Sequence, residues 1–301
     1  MVPRQRVVVA APEGVGLMRV LITGAAGQLG ADLVRVCEAA GDEVVACDRG
    51  RLDLTNRDAV FQAIVGSAPD VVLHAGAWTA VDACEADEER AFLTNAMATE
   101  WVANASSRSG AHLVAVSTDY VFDGTKVEPY QEWDRPNPQS VYGRSKRAGE
   151  HAVAVHAPGA AIVRTAWLCG AHGANMVKTV LGLLDQPDLA FVDDQLGCPS
   201  FTADVAPMVR RIAVERRAGI HHVTNQGSTS WYGFVRDILE LSGRDPDRVR
   251  PIATADLVPP RPAPRPANSV LDNAALRLGG VPPLPHYGES LERLLRELDR
   301  R

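Results

Sequence analysis

The stretch RVLITGAAGQLGADLVRVC, residues 19–37, joins three signals. A short β-branched run comes first, three glycines follow in a G-x-x-G-x-x-G spacing, and an amphipathic run begins at Gln28. Gly24 and Gly27 allow a tight turn in which the backbone approaches a ligand, and Gly30 allows a helix to pack closely on the strand. Unpaired N–H groups at the start of that helix attract an anion. The stretch therefore predicts a strand–loop–helix unit that binds the pyrophosphate of a dinucleotide.

The same alternation of strand and helix patterns continues to about residue 166. Short β-branched runs recur as EVVAC, DVVLHA, HLVAVS and AAIVRTA, and helical patterns separate them at residues 28–40, 57–65, 88–109 and 142–155. Runs that are apolar on both faces are typical of buried parallel strands, and strands that alternate with helices are typical of α/β folds. The sequence therefore predicts a Rossmann-like, doubly wound parallel sheet.

The pattern loosens after Trp167, where short strands (LAFV and GIHHV) and helices precede the proline-dense stretch PPRPAPRPANS. A last helical pattern follows at residues 290–298, so we expect the proline stretch to be an ordered loop across a site rather than a disordered linker. We predict an NAD(P)-binding domain over residues 18–166 and a smaller C-terminal lobe over residues 167–301. This lobe is expected to bind mainly the substrate and to interleave partly with the first domain.

A second methionine, Met18, stands directly before the first strand. We expect translation to begin there, which makes residues 1–17 an N-terminal extension. The alternative is that VVVAA, within those residues, forms an additional strand at a sheet edge.

Composition and charge exclude several classes of protein. The chain has 301 residues, of which 46% are apolar, and can bury a sizeable core. Its formal net charge of -6 comes from mixed acidic and basic residues, which argues against a nucleic-acid partner. The apolar stretches are shorter than the roughly 20 residues of a membrane span, and the five scattered cysteines favour neither disulfides nor zinc. We expect a cytoplasmic protein.

Three residues after the second predicted strand bear on the choice of cofactor. Asp48 lies about 20 residues beyond the glycine loop, where a carboxylate can hold the adenosine ribose 2′-OH of NADH. Arg49 and Arg51 follow at once and could instead hold the 2′-phosphate of NADPH, or be solvated loop charges. The residues leave NADH and NADPH both open.

Tyr142 and Lys146 are four residues apart in VYGRSKRAGEHAV, which places both side chains on one face of a helix. A phenol has a reference pKa of about 10, but an ammonium beside it favours the phenolate and can also hold the nicotinamide ribose. The spacing alone is more typical of a surface pair. Its context is what makes the pair a candidate for proton transfer.

That context is the strand HLVAVS, which ends at Ser117, Thr118 and Asp119, 24 residues before Tyr142. Ligands of α/β proteins bind at the carboxyl edge of the sheet, and a hydroxyl there can donate to a substrate carbonyl. Alternation along the strand does not decide between Ser117 and Thr118. Asp119 either contacts a ligand or caps the following turn.

The motifs TGAAGQLG, CDRGRLDLT, HAGAWTAVD, STDYVFDG, VYGRSK and RTAW, in this order, closely resemble the dTDP-4-dehydrorhamnose reductase family of extended short-chain dehydrogenases/reductases. The likeness continues in VDDQLGCPS and RPAPRPANS, so it covers nearly the whole chain from Met18. The resemblance implies an NAD(P)H-dependent reduction of the C4 ketone of dTDP-4-dehydro-β-L-rhamnose, which gives dTDP-β-L-rhamnose. The alternatives are a reductase of another dTDP-4-keto-6-deoxysugar and a non-catalytic NADP-binding regulatory subunit.

The resemblance also implies roles for single residues. It implies cofactor contacts around the pyrophosphate, the adenosine and the dinucleotide for Gly27, Gln28, Leu29, Asp48, Asp53, Leu54, Ala75, Gly76 and Ala77. It implies substrate contacts for Thr118 and Asp119 and a wall of the sugar site for Trp167. Tyr142 becomes the proton donor, Lys146 its partner and ribose ligand, and Thr118 the third catalytic residue.

Two further expectations concern the diphosphate and magnesium. Arg265, in the proline-dense stretch, is a candidate contact for the substrate diphosphate, because guanidinium matches phosphate oxygens. Some members of the family are dimers bridged by Mg²⁺ through acidic side chains, and these positions correspond to Asp32 and Glu297. The position after GCPS reads Ala203, so one ligand is missing, and we assign no metal residues. A monomer and a homodimer both remain open.

Overall fold

The computed structural model of the protein describes residues 17–186 and 188–300. The VVVAA segment and all but Leu17 of the expected extension lie outside the described residues. The strands are β1 (Arg19–Thr23), β2 (Glu43–Cys47), β3 (Val71–His74), β4 (His112–Thr118), β5 (Ala161–Thr165), β6 (Leu168–Cys169), β7 (Leu189–Val192), β8 (Leu196–Gly197), β9 (Ser200–Phe201), β10 (Gly219–His222), β11 (Thr229–Ser230) and β12 (Val249–Ile252). The helices are α1 (Gln28–Ala39), α2 (Arg57–Ser67), α3 (Val81–Ala86), α4 (Glu88–Phe92), α5 (Ala98–Ser109), α6 (Val141–His156), α7 (Met176–Leu181), α8 (Thr202–Val214), α9 (Trp231–Leu241), α10 (Ala274–Leu278) and α11 (Tyr287–Leu298).

Six parallel strands form the central sheet in the order β10-β5-β4-β3-β1-β2. Helices α1 and α8 contact each other on one face, and α2, α5 and α6 form a second contacting group. Two separate apolar cores result, and strands β3 and β5 are buried along their whole length. The strand order reverses between β1 and β3, which opens a ligand crevice at the carboxyl edge. The predicted doubly wound α/β sheet is confirmed.

The helical pattern at residues 88–109 contains a π-helical turn, Leu93–Met97, between α4 and α5. Asn95 lies in this turn and is buried. Its side chain accepts a hydrogen bond from the N–H of Trp78 at 2.8 Å and donates to the Trp78 carbonyl at 3.0 Å. It also donates to the Ser145 hydroxyl at 3.0 Å. The widened turn therefore ties the loop after β3 to helix α6.

The strand GIHHV does not belong to a separate sheet of the later part of the chain. As β10 it pairs in parallel with β5, and helix α8 packs against α1 and β4. The pairing covers the edge of β5, which would otherwise expose a row of backbone groups. A strand and a helix from after residue 167 thus complete the central sheet and the helical layer on one of its faces.

The remaining C-terminal segments bury an apolar core of their own. Side chains of α7, α9 and α11 form it together with Leu189 of β7 and Val249 of β12, two strands that pair in parallel. The proline-dense stretch crosses towards α3, where the Ala263 N–H donates to Asp82 at 3.2 Å. Among the described residues, none of the helices combines the length and the hydrophobicity that a membrane span needs.

Candidate active site

The glycine loop after β1 has no room for side chains. Gly24 has φ of 67°, and a Cβ there would lie 2.7 Å from the Cα of Gly76. A Cβ at Gly30 would collide with the carbonyl oxygen of Gly24. Helix α1 begins at Gln28 after Gly27, which offers no side chain to cap its first N–H groups. The loop therefore directs backbone donors towards an anion.

A cavity of about 620 Å³ lies beside this loop and is called the cofactor pocket below. Most residues that were expected to hold a dinucleotide line it: Gly24, Gly27, Asp48, Asp53, Leu54, Ala75, Gly76 and Ala77. Five other predicted cofactor residues are not among its lining residues: Gln28, Leu29, Gly30, Tyr142 and Lys146. Leu29 is 4% exposed and packs into the core between α1 and the sheet, so its side chain faces away from a ligand.

Two side chains of the cofactor pocket were not found from the sequence. Arg90 of α4 and Thr94 of the π-helical turn both line it. The Arg90 guanidinium lies 4.4 Å from the centre of the Trp78 ring. Neither residue belongs to a strand-end motif, so only the packing of the helix against the loop after β3 reveals them.

The acidic and basic residues after β2 have distinct partners. The Asp48 carboxylate accepts a hydrogen bond from the Arg51 N–H at 2.9 Å. The Arg51 guanidinium donates back to the Ala46 carbonyl at 3.2 Å, whereas Arg49 lines the cofactor pocket. Hydrogen bonds from the Thr55 hydroxyl and N–H hold the pKa of Asp53 below its usual range. Asp48 and Arg49 thus place a negative and a positive charge side by side in the lining of the cofactor pocket.

Tyr142 and Lys146 lie on successive turns of α6, which begins where the Ser140 hydroxyl accepts from the Gly143 N–H at 3.1 Å. Both side chains are buried. Burial raises the pKa of Tyr142, and a hydrogen bond with the Thr118 hydroxyl opposes the rise. Burial lowers the pKa of Lys146 to about 8, against the effect of the Glu150 charge. The structure therefore excludes the surface-pair alternative.

The two candidate hydroxyl groups at the end of β4 have different partners. Ser117 donates to the Glu150 carboxylate at 2.7 Å, whereas the Thr118 hydroxyl lies near Tyr142 and acts on its pKa. The Thr118 hydroxyl donates to Asp119 at 2.8 Å and accepts from the Tyr120 N–H at 3.2 Å. Thr118 is thus the hydroxyl on the side of the tyrosine, and it also caps the turn that follows.

Asp119 is 2% exposed, and its second carboxylate oxygen, Oδ2, has no hydrogen-bond partner in the described part of the chain. Burial raises its pKa to about 6, although the nearby hydroxyl groups of Ser269 and Thr118 oppose the shift. A buried acceptor without a partner is costly unless a ligand satisfies it. Asp119 therefore has one oxygen free for a polar ligand beside Thr118.

Trp167 follows β5 with φ of 45°, a strained backbone conformation for a residue with a side chain. Its ring stacks on that of Trp231, with ring centres 3.5 Å apart and planes 5° apart. Gly197 lies against the same ring, where a Cβ would collide with it. Trp231 also packs against the core of the C-terminal segments. The position of Trp167 thus depends on residues from three segments of the chain.

Arg265 of the proline-dense stretch forms an ion pair with Asp82 of α3, and its Nη2 lies 2.8 Å from Oδ2. Arg261 lies 3.7 Å from the same carboxylate. Hydrogen bonds from Arg265 hold the pKa of Asp82 below its usual range. Burial raises the pKa of Tyr120 and the nearby Arg265 opposes the rise, and the Tyr120 ring packs edge-on against that of Tyr142. The loop is thus attached next to the tyrosine, and Asp82 is a further residue of this region.

The positions compared with magnesium ligands lie in another cavity, of about 490 Å³: Asp32, Ala203 and Glu297 line it, together with Asp204. Asp32 accepts hydrogen bonds from Arg35 at 2.9 and 3.1 Å, and Asp204 from Arg293 at 2.6 Å. These guanidinium groups neutralise the carboxylates that a divalent cation would need. Over residues 17–186 and 188–300 no group of three or more acidic, histidine or cysteine side chains could hold a metal. The residues present do not fit a magnesium site.

His221 and His222 lie in β10. His221 contacts the carbonyl of Ala218 and His222 that of Asp272, at 3.2 and 3.1 Å. Both contacts are internal to the fold.

Comparisons with known proteins identify the family of the chain. The family model described as the RmlD substrate binding domain matches residues 18–300. A dTDP-4-dehydrorhamnose reductase of Streptomyces griseus is 42% identical over 280 residues, which cover 91% of each chain. A probable dTDP-4,6-dihydroxy-2-methyloxan-3-one 4-ketoreductase of Streptomyces antibioticus is also 42% identical, over 91% of this chain and 93% of its own.

Among solved structures, a dTDP-4-dehydrorhamnose reductase from Bacillus anthracis in complex with NADP is 36% identical, with a TM-score of 0.89. The match covers 94% of this chain and 100% of that chain. Both the motifs and the fold therefore agree with the comparisons, and this chain belongs to the RmlD substrate binding domain family.

Proposed function

We propose that this protein reduces the C4 ketone of dTDP-4-dehydro-β-L-rhamnose with NAD(P)H and thereby forms dTDP-β-L-rhamnose. One observation carries the proposal: Tyr142 and Lys146 are buried one helical turn apart on α6, and the Thr118 hydroxyl at the carboxyl end of β4 lies close enough to Tyr142 to act on its pKa. The relatives described above supply the substrate class.

The residues of the cofactor pocket fit a dinucleotide. Gly24 and Gly30 leave space for a pyrophosphate, and the uncapped start of α1 supplies N–H donors. A bound nicotinamide supplies the hydride that the reduction consumes. Lys146 is the proposed ligand of the nicotinamide ribose, and Ala75, Gly76 and Ala77 support the dinucleotide from the end of β3.

Tyr142 is the proposed proton donor to the ketone oxygen. Because burial raises its pKa, the phenol stays protonated near neutral pH and can give its proton when negative charge develops on that oxygen. The adjacent Lys146 ammonium then favours the phenolate that remains. No covalent bond between protein and substrate is needed in this route.

Thr118 is the proposed hydrogen-bond donor to the same oxygen. A hydroxyl has one hydrogen, and in the structure Thr118 donates it to Asp119. Thr118 must therefore turn its hydrogen from Asp119 to the ketone when the substrate binds. Asp119 contributes its free oxygen to a hydroxyl of the sugar, and Trp167 contributes a wall of the sugar site.

The choice between NADPH and NADH depends on Asp48 and Arg49. The Asp48 carboxylate suits a free ribose 2′-OH, whereas the Arg49 guanidinium suits a 2′-phosphate. Since both line the cofactor pocket, we propose that the enzyme accepts both cofactors.

The test is a reductase assay with dTDP-4-dehydro-β-L-rhamnose, in which loss of NADPH or NADH and formation of dTDP-β-L-rhamnose are both measured. Oxidation of the cofactor with the expected sugar product supports the proposal. An absence of oxidation with either cofactor would favour a regulatory NADP-binding role instead.

A second candidate is a reductase of another dTDP-4-keto-6-deoxysugar. The relative from Streptomyces antibioticus, which is as similar as the reductase from Streptomyces griseus, favours keeping it. Parallel assays with the rhamnose precursor and with dTDP-4-keto-6-deoxy-D-glucose distinguish the two. A higher kcat/KM for the latter sugar would replace the first proposal by the second.

A further inference from the structure

A buried carboxylate, Glu150, lies on α6 one helical turn after Lys146. Its oxygens accept hydrogen bonds from Arg164 Nε and Nη2, both at 2.8 Å, and from the Ser117 hydroxyl at 2.7 Å. Arg147 adds a fourth bond at 3.1 Å. Glu150 is 3% exposed and Arg164 is not exposed at all. The pair lies between the helix that carries Tyr142 and strands β4 and β5.

A buried ion pair is expensive to build, because both charges lose their hydration, and well-packed apolar side chains often serve stability equally well. Burial works to raise the pKa of Glu150, but hydrogen bonds and charge from Arg164 outweigh it and lower the pKa overall. Glu150 is therefore a permanent negative charge inside the protein. Its position next to the proposed catalytic residues suggests that the charge serves them.

A negative charge nearby stabilises the protonated form of Lys146, which is buried. Its Nζ donates to the Val116 carbonyl at 2.8 Å, and burial removes most of its contact with water. Lys146, Glu150 and Ser117 line the same small cavity of about 10 Å³. An opposite charge nearby favours the ammonium form of a buried lysine.

The other groups around Lys146 do not supply this charge. From β3, His74 is neutral near pH 7, because burial and then the Lys146 charge lower its pKa to about 3. From α5, Thr99 lines the cavity with an uncharged hydroxyl. From β5, Arg164 is a cation, and the protonated Tyr142 of α6 has no charge.

Asp119, at the end of β4, is directed towards Thr118 and Ser269. Glu150 is thus the carboxylate that opposes the desolvation of Lys146.

We propose that Glu150, held by Arg164, is a positioning residue that keeps Lys146 protonated and, through Ser117, fixes the end of β4 that carries Thr118. The inference rests on the roles proposed above for Lys146 and Thr118. Glu150 itself contacts neither the substrate nor the cofactor. Its effect should therefore be seen in the pH range of activity as well as in the rate.

The experiment compares pH profiles of kcat for the full-length protein and for Glu150→Gln, which keeps the shape of the side chain but removes its charge. Activity is expected to fall at high pH as Lys146 loses its proton. In Glu150→Gln this decline should move to lower pH by about one unit, the size of effect that a neighbouring charge exerts. The Kd of NADPH, measured by its fluorescence across the same pH range, should weaken at correspondingly lower pH.

Three further variants keep the test decisive. Glu150→Asp retains the charge, so its decline should stay at the original pH even if kcat falls. Glu150→Gln/Arg164→Met removes both charges and carries the test if the single variant does not fold; its decline should again lie at lower pH but with a smaller shift, because loss of the Arg164 charge partly offsets loss of the Glu150 charge.

Asp42→Asn breaks a buried ion pair far from the site, where Arg210 Nε lies 2.7 Å from Asp42. It should lower stability without moving the profile.

Unchanged pH profiles and unchanged pH dependence of NADPH binding in both Glu150→Gln variants would overturn the inference. A wild-type protein that does not reduce the sugar nucleotide, or an active Lys146→Met variant, would instead contradict the proposed function. The NADPH titration separates these cases, because it requires no turnover.

Discussion

The residues on the cofactor side of the cleft lie close together in the sequence, whereas those on the proposed substrate side come from distant segments. The cofactor pocket takes most of its lining from residues 24–94, in segments that follow successive strands of the sheet. On the substrate side, Arg265 reaches Asp82 across 183 positions, and Trp167 stacks on Trp231. The first side depends on local backbone geometry, and the second depends on how distant segments pack together.

This difference has a functional consequence. A glycine loop at the start of a helix binds a pyrophosphate in many proteins because it offers backbone groups. Side chains brought from separate segments can vary without disturbing the sheet. We therefore expect variants on the substrate side to change the handling of the sugar nucleotide alone, and variants after β2 to change the handling of the cofactor alone.

The largest expected effect is that of Tyr142→Phe, which lies between the two sides. Loss of the proton donor should lower kcat by roughly 10²–10⁴, as is typical of a lost general acid. The Kd of NADPH should change little, because Lys146 and the glycine loop remain. Steady-state kinetics and a fluorescence titration check the two parts. Near-normal kcat would remove Tyr142 from the proposed mechanism.

Arg265→Met should produce the next largest effect. Charge-assisted hydrogen bonds contribute about 1.5–3 kcal/mol, so loss of a diphosphate contact should raise the KM of the sugar nucleotide roughly 10- to 100-fold. The KM of NADPH should stay the same. Arg261→Met is the matched control, because Arg261 lies in the same loop, is more exposed and lies 3.7 Å from Asp82. Equal effects of the two variants would argue against a specific diphosphate contact.

Features with a local sequence pattern could be predicted, whereas features that depend on distant contacts could not. The glycine loop, the strands up to β5 and the helix bearing Tyr142 each show a local pattern, and each lies where the pattern placed it. The π-helical turn at Leu93–Met97 has no such pattern. It accompanies contacts of Asn95 with Trp78 and Ser145, which are distant in the sequence.

Three other features depend on contacts that no local pattern encodes. The sequence of β10 predicts a short strand but not the sheet to which it belongs. Its place in the central sheet follows from its pairing with the edge of β5. Alternation shows that Ser117 and Thr118 point to opposite faces, but not which face carries the site. Asp82 was part of a recognised motif, yet its role became visible only with its partner Arg265.

Trp231→Ala tests whether the stack on Trp167 matters for the sugar site. An aromatic pair contributes about 0.5–1.5 kcal/mol beyond its buried area, so the KM of the sugar nucleotide should rise roughly 2- to 10-fold. Trp231→Phe keeps an aromatic ring under Trp167 and should lie closer to wild type. A parallel rise in the KM of NADPH would show that the two sides are not independent.

An effect of about the same small size is expected for Asp48→Ala, on the cofactor side. Without the carboxylate, the ribose 2′-OH of NADH loses an acceptor, while Arg49 remains for the 2′-phosphate of NADPH. The ratio of kcat/KM for NADPH to that for NADH should therefore rise by roughly 3- to 10-fold, the value of about one hydrogen bond. Asp53→Ala is the matched control: its carboxylate lies in the same pocket but bonds to Thr55, so it should affect both cofactors equally.

The KM of the sugar nucleotide should not change in either variant. If Asp48→Ala altered that KM as strongly as the cofactor ratio, the division of the cleft into a local cofactor side and an assembled substrate side would fail, because one residue after β2 would then control both.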